Sequence, residues 1–84
     1  MESQEWSLCR VRVVADADPG ALARVLERLQ NLNCLPRRVY AEFATNDLLH
    51  VEVDVVGLSA EQLTLITSKI GQATCVVNAY WHWL

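Results

Sequence analysis

The sequence predicts an α+β domain in which two helices cover one face of a four-stranded antiparallel sheet. Four segments alternate apolar and polar residues, as half-buried strands do, whereas two segments repeat apolar residues every three or four positions, as amphipathic helices do. Capping and turn residues separate neighbouring segments. The resulting order is β-α-β-β-α-β, which predicts a ferredoxin-like sandwich.

The first strand and helix are predicted between Trp6 and Asn33. Alternation indicates a strand from Trp6 to Ala15, and its buried face comprises Cys9, Val11, Val13 and Ala15. Asp18 is placed to cap the helix, with Pro19 at the first helical position. The apolar helix positions are Leu22, Val25, Leu26, Leu29 and Leu32. The helix is expected to end between Asn31 and Asn33, since asparagine tolerates the left-handed conformation found at helix ends.

A hairpin is predicted after this helix. Residues 35–44 alternate apolar and polar side chains, and residues 45–47, with the sequence TND, supply the turn. The returning strand has the clearest alternation in the chain. Its apolar face comprises Leu49, Val51, Val53 and Val55, and its polar face comprises His50, Glu52 and Asp54.

The second helix carries a complete start signal. Ser59 and Gln62 predict a capping box, in which each side chain bonds the backbone N–H of the other residue. The inward-facing positions are Leu63, Ile66 and Ile70. Gly71 is expected to end the helix, and a last strand is predicted from Thr74 to Trp81.

The sheet face away from the helices has no cover of its own. The side chains expected there are Arg10, Arg12, Tyr40, Glu42, His50, Glu52, Asp54, Val76, Asn78 and Tyr80. Opposite charges on neighbouring strands predict cross-strand ion pairs. The last strand is apolar on both faces and ends in YWHWL, which is typical of a strand that meets another chain. The residues predicted to contact a partner are Arg10, Arg12, Tyr40, Tyr80, Trp81 and Trp83.

Composition and length indicate one folded domain over residues 6–84, after a flexible N-terminus of residues 1–5. A domain of 84 residues buries only about 60–65% of its unfolded surface, so pairing with a copy or another chain is expected. The net charge of −3 argues against nucleic acid or anionic membranes as partners. The clustered arginines Arg24, Arg28, Arg37 and Arg38 are accordingly interpreted as solvated surface residues.

The cell compartment and redox state are predicted from two absences in the sequence. The N-terminus lacks a signal-peptide pattern, and no apolar run approaches the ~20 residues of a membrane span. A cytoplasmic location is therefore expected. The three cysteines, Cys9, Cys34 and Cys75, are interpreted as reduced thiols that form neither a disulfide framework nor a metal site.

The enzyme classes that use this fold plan are not favoured. An acyl-phosphate hydrolase needs an arginine or an amide nest in the first strand-to-helix loop, where Asp16 and Asp18 would instead repel phosphate. A metal carrier would need a C-x-x-C pair in that loop, and an RNA-binding module would need stacked aromatic residues on the central strands. We therefore expect a binding or regulatory module that has no catalytic residues and no cofactor.

The segment DADPGALARVLERLQNLNC resembles the start of an ACT domain, a ferredoxin-like module that commonly senses amino acids. In that family the turn after the first strand reads roughly D-x-P-G-x-L. The matching residues here are Asp16 or Asp18, Pro19, Gly20 and Leu22. The longer stretch LARVLERLQNLNCLPRRVYAEF looks most like the small regulatory subunits of acetohydroxyacid synthase, also called acetolactate synthase.

This resemblance implies a non-catalytic subunit that activates or feedback-regulates a thiamine-diphosphate enzyme of branched-chain amino-acid synthesis. It also implies a homodimer joined edge to edge, the large catalytic subunit as partner, and valine, leucine or isoleucine as an effector at the dimer interface. A free-standing amino-acid sensor and a structural adaptor for another enzyme remain the alternatives.

The effector site implied by the resemblance combines the first loop of one chain with the turn after the first helix of its neighbour. Its predicted residues are Asp16, Ala17, Asp18, Gly20, Ala21, Leu22, Asn33, Cys34 and Leu35. Free N–H groups near Gly20 and Ala21 are expected to bind the effector carboxylate, and an aspartate its ammonium. Ala17 and Leu35 stand where responsive members often carry an amide, which predicts weak effector binding or none.

Overall fold

The computed structural model describes residues 7–84 and has the predicted order of elements. The elements are β1 (Leu8–Asp16), α1 (Gly20–Gln30), β2 (Arg38–Ala44), β3 (Leu48–Val56), α2 (Ala60–Gly71) and β4 (Val76–Trp83). The strands pair antiparallel in the order β2-β3-β1-β4, so β1 and β3 are central. This arrangement confirms the predicted ferredoxin-like sheet. The proposed flexible segment 1–5 and the predicted strand start at Trp6 lie outside the described residues.

The core lies between the helices and one face of the two central strands. The strand residues of the core are Cys9, Val11, Val13 and Ala15 of β1 and Val51, Val53 and Val55 of β3, all 1% exposed or less. The helix residues are Ala21, Val25 and Leu29 of α1 and Leu63, Ile66 and Ile70 of α2. Apart from Ala21, these are apolar positions that the two periodicities predicted. Of the remaining predicted positions, Leu22, Leu26 and Leu49 are only partly covered, and Leu32 lies beyond the end of α1 and is 38% exposed.

Local hydrogen bonds confirm most predicted ends of the helices. The Oδ1 of Asp18 accepts the backbone N–H of Gly20 at 3.2 Å, ahead of α1. Asn33 adopts a left-handed φ of 57° just after α1. The Ser59 Oγ accepts the Gln62 N–H at 3.1 Å, and the Gln62 side chain accepts the Ser59 N–H at 2.9 Å, which completes the predicted capping box.

Strand β2 begins at Arg38, three residues later than predicted. Pro36 contributes to this difference because proline has no N–H to donate to a strand ladder. Strand β4 runs from Val76 to Trp83 and so begins and ends two residues later than predicted.

The prediction that Val76 lies on the open sheet face is wrong. A bulge changes the β1–β4 register, because Val14 pairs with Asn78 whereas the next residue, Ala15, pairs with Val76. The extra residue reverses the alternation of side chains before it. Val76 therefore packs against the core on the helix-covered face.

Candidate functional site

An apolar surface is left uncovered along the edge strand β2. Val39, Ala41 and Phe43 pair with Val53, Val51 and Leu49, so they share the helix-covered face of the sheet. All three are nevertheless exposed, Phe43 by 77%, and Leu35 just ahead of the strand is 84% exposed. We call Leu35, Val39, Ala41 and Phe43 the β2 surface. Exposed apolar side chains grouped along an unpaired strand edge are typical of a protein–protein interface.

A groove lies between the β2 surface and the C-terminal half of α1. Its volume is about 540 Å³, and its lining residues are Leu26, Gln30, Asn33, Cys34, Leu35, Pro36 and Val39. Apolar side chains form most of its wall, and two amide side chains supply polar groups. Three predicted effector residues, Asn33, Cys34 and Leu35, are brought together here.

The first loop contains the other predicted effector residues, and its backbone is already bonded. The N–H of Asp16 donates to the carbonyl of Cys75 at 2.7 Å, and that of Ala17 donates to the carbonyl of Asp47 at 2.9 Å. The N–H of Asp18 donates to the carbonyl of Asp16 at 2.7 Å. These bonds fix the loop against the β2–β3 turn and the start of β4.

The backbone N–H groups of Gly20 and Ala21, which were expected to bind a carboxylate, already donate hydrogen bonds within the chain. The Gly20 N–H donates to the Asp18 side chain at 3.2 Å, and the Ala21 N–H donates to the Asp18 carbonyl at 2.9 Å. The expectation of free N–H groups at these two residues is therefore wrong, because the residue that caps the helix uses them. Ala21 is in addition fully buried, and Leu22 is partly covered.

The two halves of the predicted effector site lie at opposite ends of α1. This helix has 11 residues and spans about 16 Å at 1.5 Å per residue. Asp16 to Leu22 surround its start, whereas Asn33 to Leu35 follow its end. One chain does not bring these groups together, and only a second chain could place one group beside the other.

The open sheet face carries a network of arginines and carboxylates. Arg10 binds Asp54 through two hydrogen bonds of 2.7 and 3.0 Å, and these bonds hold the pKa of the Asp54 carboxyl below its usual value. Arg12 binds Glu52 at 2.7 Å, and Arg38 binds the other oxygen of Glu52 at 3.2 Å. Asp54 is only 5% exposed although it lies on the open face. The predicted cross-strand ion pairs are thus present.

The predicted partner-contact residues divide between the two faces of the sheet. Arg10, Arg12, Tyr40 and Tyr80 lie on the open face, as expected. The Tyr40 hydroxyl donates to Glu42 at 2.6 Å, and this bond raises the pKa of Tyr40. Trp81 lies on the helix-covered face instead, where its indole N–H donates to the Thr64 hydroxyl of α2 at 3.2 Å.

Trp83 shares that face with Trp81, and the two rings pack edge to face with centroids 5.0 Å apart. Trp81 is partly buried against its own helix, whereas Trp83 is 42% exposed at the end of β4. The apolar signal of the last strand therefore comes in part from packing within the chain.

Residues 7–84 show no metal site, disulfide or membrane-spanning helix. Within that range no cluster of histidine, cysteine or acidic residues could hold a metal ion, and neither helix is long and apolar enough to cross a bilayer. Cys9, Cys34 and Cys75 are free thiols. Burial raises the pKa of the Cys9 thiol to about 11, which makes it a poor nucleophile at neutral pH.

The sequence matches a family model described as an ACT-like domain, over residues 2–84. The chain belongs to the ACT-like domain family. Members of this family are regulatory, non-catalytic modules that commonly bind amino acids. The match confirms the resemblance to ACT domains that the first loop and helix predicted. No curated protein matches the sequence.

Solved structures show how widely the fold of this ACT-like domain is used. The C-terminal domain of the MgtC protein from Mycobacterium tuberculosis superposes with a TM-score of 0.80 at 17% identity, over 100% of this chain and 94% of that one. The ACT domain of GTP pyrophosphokinase from Chlorobium tepidum gives 0.73 at 13% identity, over 89% and 96%. A homoserine dehydrogenase from Thiobacillus denitrificans gives 0.76 at 14% identity, and the match covers 93% of this chain but 17% of the enzyme. At these identities the likeness shows the fold alone.

Proposed function

We propose that this ACT-like domain is a homodimeric regulatory subunit that binds and regulates the large catalytic subunit of acetohydroxyacid synthase, in branched-chain amino-acid synthesis. The resemblance of the stretch from Leu22 to Phe43 to the small subunits of that enzyme favours this partner. The β2 surface is the observation that carries the proposal, because it leaves a large apolar area without cover. The free cysteines fit the reducing cytoplasm in which the enzyme would work.

The dimer is proposed to form through β2. An edge strand presents unpaired backbone N–H and C=O groups, and a second copy of β2 running antiparallel would satisfy them. The same contact would cover Leu35 and Phe43, which are 84% and 77% exposed in the single chain. The result is a continuous sheet across two chains with all four helices on one side.

The open sheet face is the proposed contact for the catalytic subunit. Arg10, Arg12 and Arg38 are held in place by carboxylates, and Tyr40 and Tyr80 lie beside them at 41% and 46% exposure. Side chains that are already ordered lose little entropy when a partner binds. Trp83, which is 42% exposed on the helix-covered face at the end of β4, is proposed as a separate contact for the partner.

The test is to mix the purified chain with the purified catalytic subunit of acetohydroxyacid synthase and measure the rate of acetolactate formation. A saturable rise in rate, or a new sensitivity of that rate to valine, supports the proposal. Arg12→Ala together with Tyr80→Ala should reduce the effect, while a pair of changes at exposed positions of α2, Glu61→Gln and Ser68→Ala, should not. An unchanged rate with no complex detected would exclude this partner.

A free-standing amino-acid sensor is the second candidate, favoured by the apolar groove beside β2. Valine, leucine or isoleucine would lie between the groove of one chain and the first loop of its neighbour, with the ammonium near Asp16 or Asp18. The bonded amides of Gly20 and Ala21 weigh against tight binding of the carboxylate. A thermal melt against each of the twenty amino acids tests this candidate, since a ligand at 100 times its dissociation constant stabilises a fold by about 2.7 kcal/mol. Binding of a protein partner without any amino-acid effect would instead indicate a structural adaptor.

A further inference from the structure

A cleft between α1 and α2 collects basic side chains that the proposed function does not use. Its lining residues are Arg24, Glu27, Arg28, Lys69, Ile70, Gln72 and Ala73, and its volume is about 290 Å³. We call it the helix cleft. It contains none of the residues of the β2 surface, the first loop or the open sheet face, so its role can be tested independently of them.

The cations of the helix cleft have no ion-pair partners within the described part of the chain. The seven Lys and Arg residues include three on the open face, each bound to a carboxylate. In contrast, no carboxylate among residues 7–84 lies within 4.0 Å of a charged nitrogen of Arg24, Arg28 or Lys69. The interpretation of Arg24 and Arg28 from the sequence as solvated surface residues did not include Lys69, which α2 brings to the same cleft.

The charge of the helix cleft opposes that of the whole chain. Three cations and the single acid Glu27 leave two positive charges in the lining, whereas the chain has a net charge of −3. Arg24 and Arg28 are four residues apart on one helix, where like charges repel. Arg28 and Lys69 lie in the last turns of their helices and gain there from the helix dipoles, but Arg24 does not. An anion bound between the helices would relieve the remaining repulsion.

We propose that the helix cleft binds a small molecule that carries a phosphate group. A phosphate brings about −1.5 to −2 charges near neutral pH, which matches the two uncompensated positive charges. The planar guanidinium groups of Arg24 and Arg28 can each donate two N–H bonds to phosphate oxygens, and Lys69 adds a point charge from the facing helix. Pockets for drug-sized ligands measure about 300–1,000 Å³. The helix cleft, at about 290 Å³, lies at the lower limit of this range, so its volume suits a phosphate with a small substituent.

The test uses inorganic phosphate and glycerol phosphate as probes, with the ¹⁵N-labelled chain observed by two-dimensional NMR at constant ionic strength. We expect saturable shifts of backbone amides in residues 24–31 and 66–73, with a dissociation constant of about 1 mM. Acetate, a monoanion, should produce much smaller shifts at the same concentration. Stronger binding of glycerol phosphate than of inorganic phosphate would identify a phosphorylated metabolite as the ligand class, and equal binding would identify free phosphate.

Three charge-removing variants distinguish specific binding of phosphate in the helix cleft from non-specific electrostatic attraction to the chain. Arg28→Gln and Lys69→Gln should each weaken phosphate binding about tenfold, since each removes a charge-assisted bond worth about 1.4 kcal/mol or more. Arg37→Gln removes the same charge from an exposed position outside the cleft and should weaken binding less than about twofold. The same spectra report whether each variant is folded. Shifts that do not saturate, that centre on other residues, or that weaken equally in all three variants would overturn the proposal.

Discussion

Replacing Phe43 with serine tests whether β2 is the edge through which two copies pair. Phe43 is 77% exposed in the single chain, so its loss should change the stability of the monomer by no more than about 0.5 kcal/mol. If a second chain covers β2, each copy gains the burial of this ring. Full burial of a phenylalanine side chain contributes about 1.5–3 kcal/mol.

The expected effect on dimerisation is large because the symmetric contact contains Phe43 twice. The exposed fraction scales the gain to about 1–2 kcal/mol for each ring, so the dimer loses about 2–4 kcal/mol. The dissociation constant of the dimer should then rise about 30-fold to 1,000-fold. Sedimentation equilibrium over a range of chain concentrations measures this change directly.

Val77→Ser is the matched control, because Val77 is a 63% exposed apolar residue on the other edge strand, β4. Pairing through β2 predicts that this change leaves the dissociation constant unaltered. A larger effect of Val77→Ser than of Phe43→Ser would show that β4 is the dimer edge. Equal association of both variants and the unmodified chain would refute the interpretation of the β2 surface as an interface.

Three further predictions concern the folded chain itself. The Arg10 bonds hold the pKa of Asp54 below its unfolded value of about 3.9, so the stability from this ionised carboxyl is present above that pH and is lost as the pH falls through the folded pKa. Urea melts of the unmodified chain should therefore lose more free energy of unfolding below about pH 4 than melts of Asp54→Asn, and equal losses would contradict the assignment. Ser59→Ala removes the cap that accepts the Gln62 N–H and should cost about 1 kcal/mol, lowering Tm by about 4–8 °C, whereas an unchanged Tm would show that the capping box adds nothing. Cys9 is buried with a pKa raised to about 11, so iodoacetamide at pH 8 should alkylate it only when the chain is unfolded; rapid labelling of the folded chain, read by mass spectrometry, would contradict its burial.

The fold was predictable because its signals are local. The capping box joins Ser59 to Gln62, three residues along the chain. The left-handed backbone of Asn33 likewise depends only on the turn in which this residue lies, just after α1. The position of Val76 was not predictable, because the bulge that turns it inward arises only when β4 pairs with β1. The exposure of β2 depends likewise on the tertiary structure, since two helices cover the central strands but leave this edge free.

The candidate site was only partly predictable, for a related reason. Asp18 as a helix cap and free amides at Gly20 and Ala21 were two predictions from the same residues, and the structure shows that the first excludes the second. The sequence contained part of this conflict, since a capping carboxylate accepts an N–H group that a ligand would need, here that of Gly20. The Ala21 N–H is bonded instead to the backbone carbonyl of Asp18. Lys69 lies far from Arg24 along the chain, and only the packing of α1 against α2 reveals their shared cleft.

The geometry of α1 links dimerisation to any amino-acid response. A branched-chain amino acid is too short to contact both ends of a helix that spans about 16 Å, so it can reach the first loop and the groove together only where two chains meet. A ligand that binds only between two chains also stabilises the dimer. By linkage, the free energy by which dimerisation strengthens ligand binding equals the free energy by which the ligand stabilises the dimer. Phe43→Ser should therefore abolish a thermal shift with valine even though Phe43 does not line the groove. A valine shift that survived in a monomeric variant would place the effector within a single chain, away from the site that the ACT-domain resemblance implies.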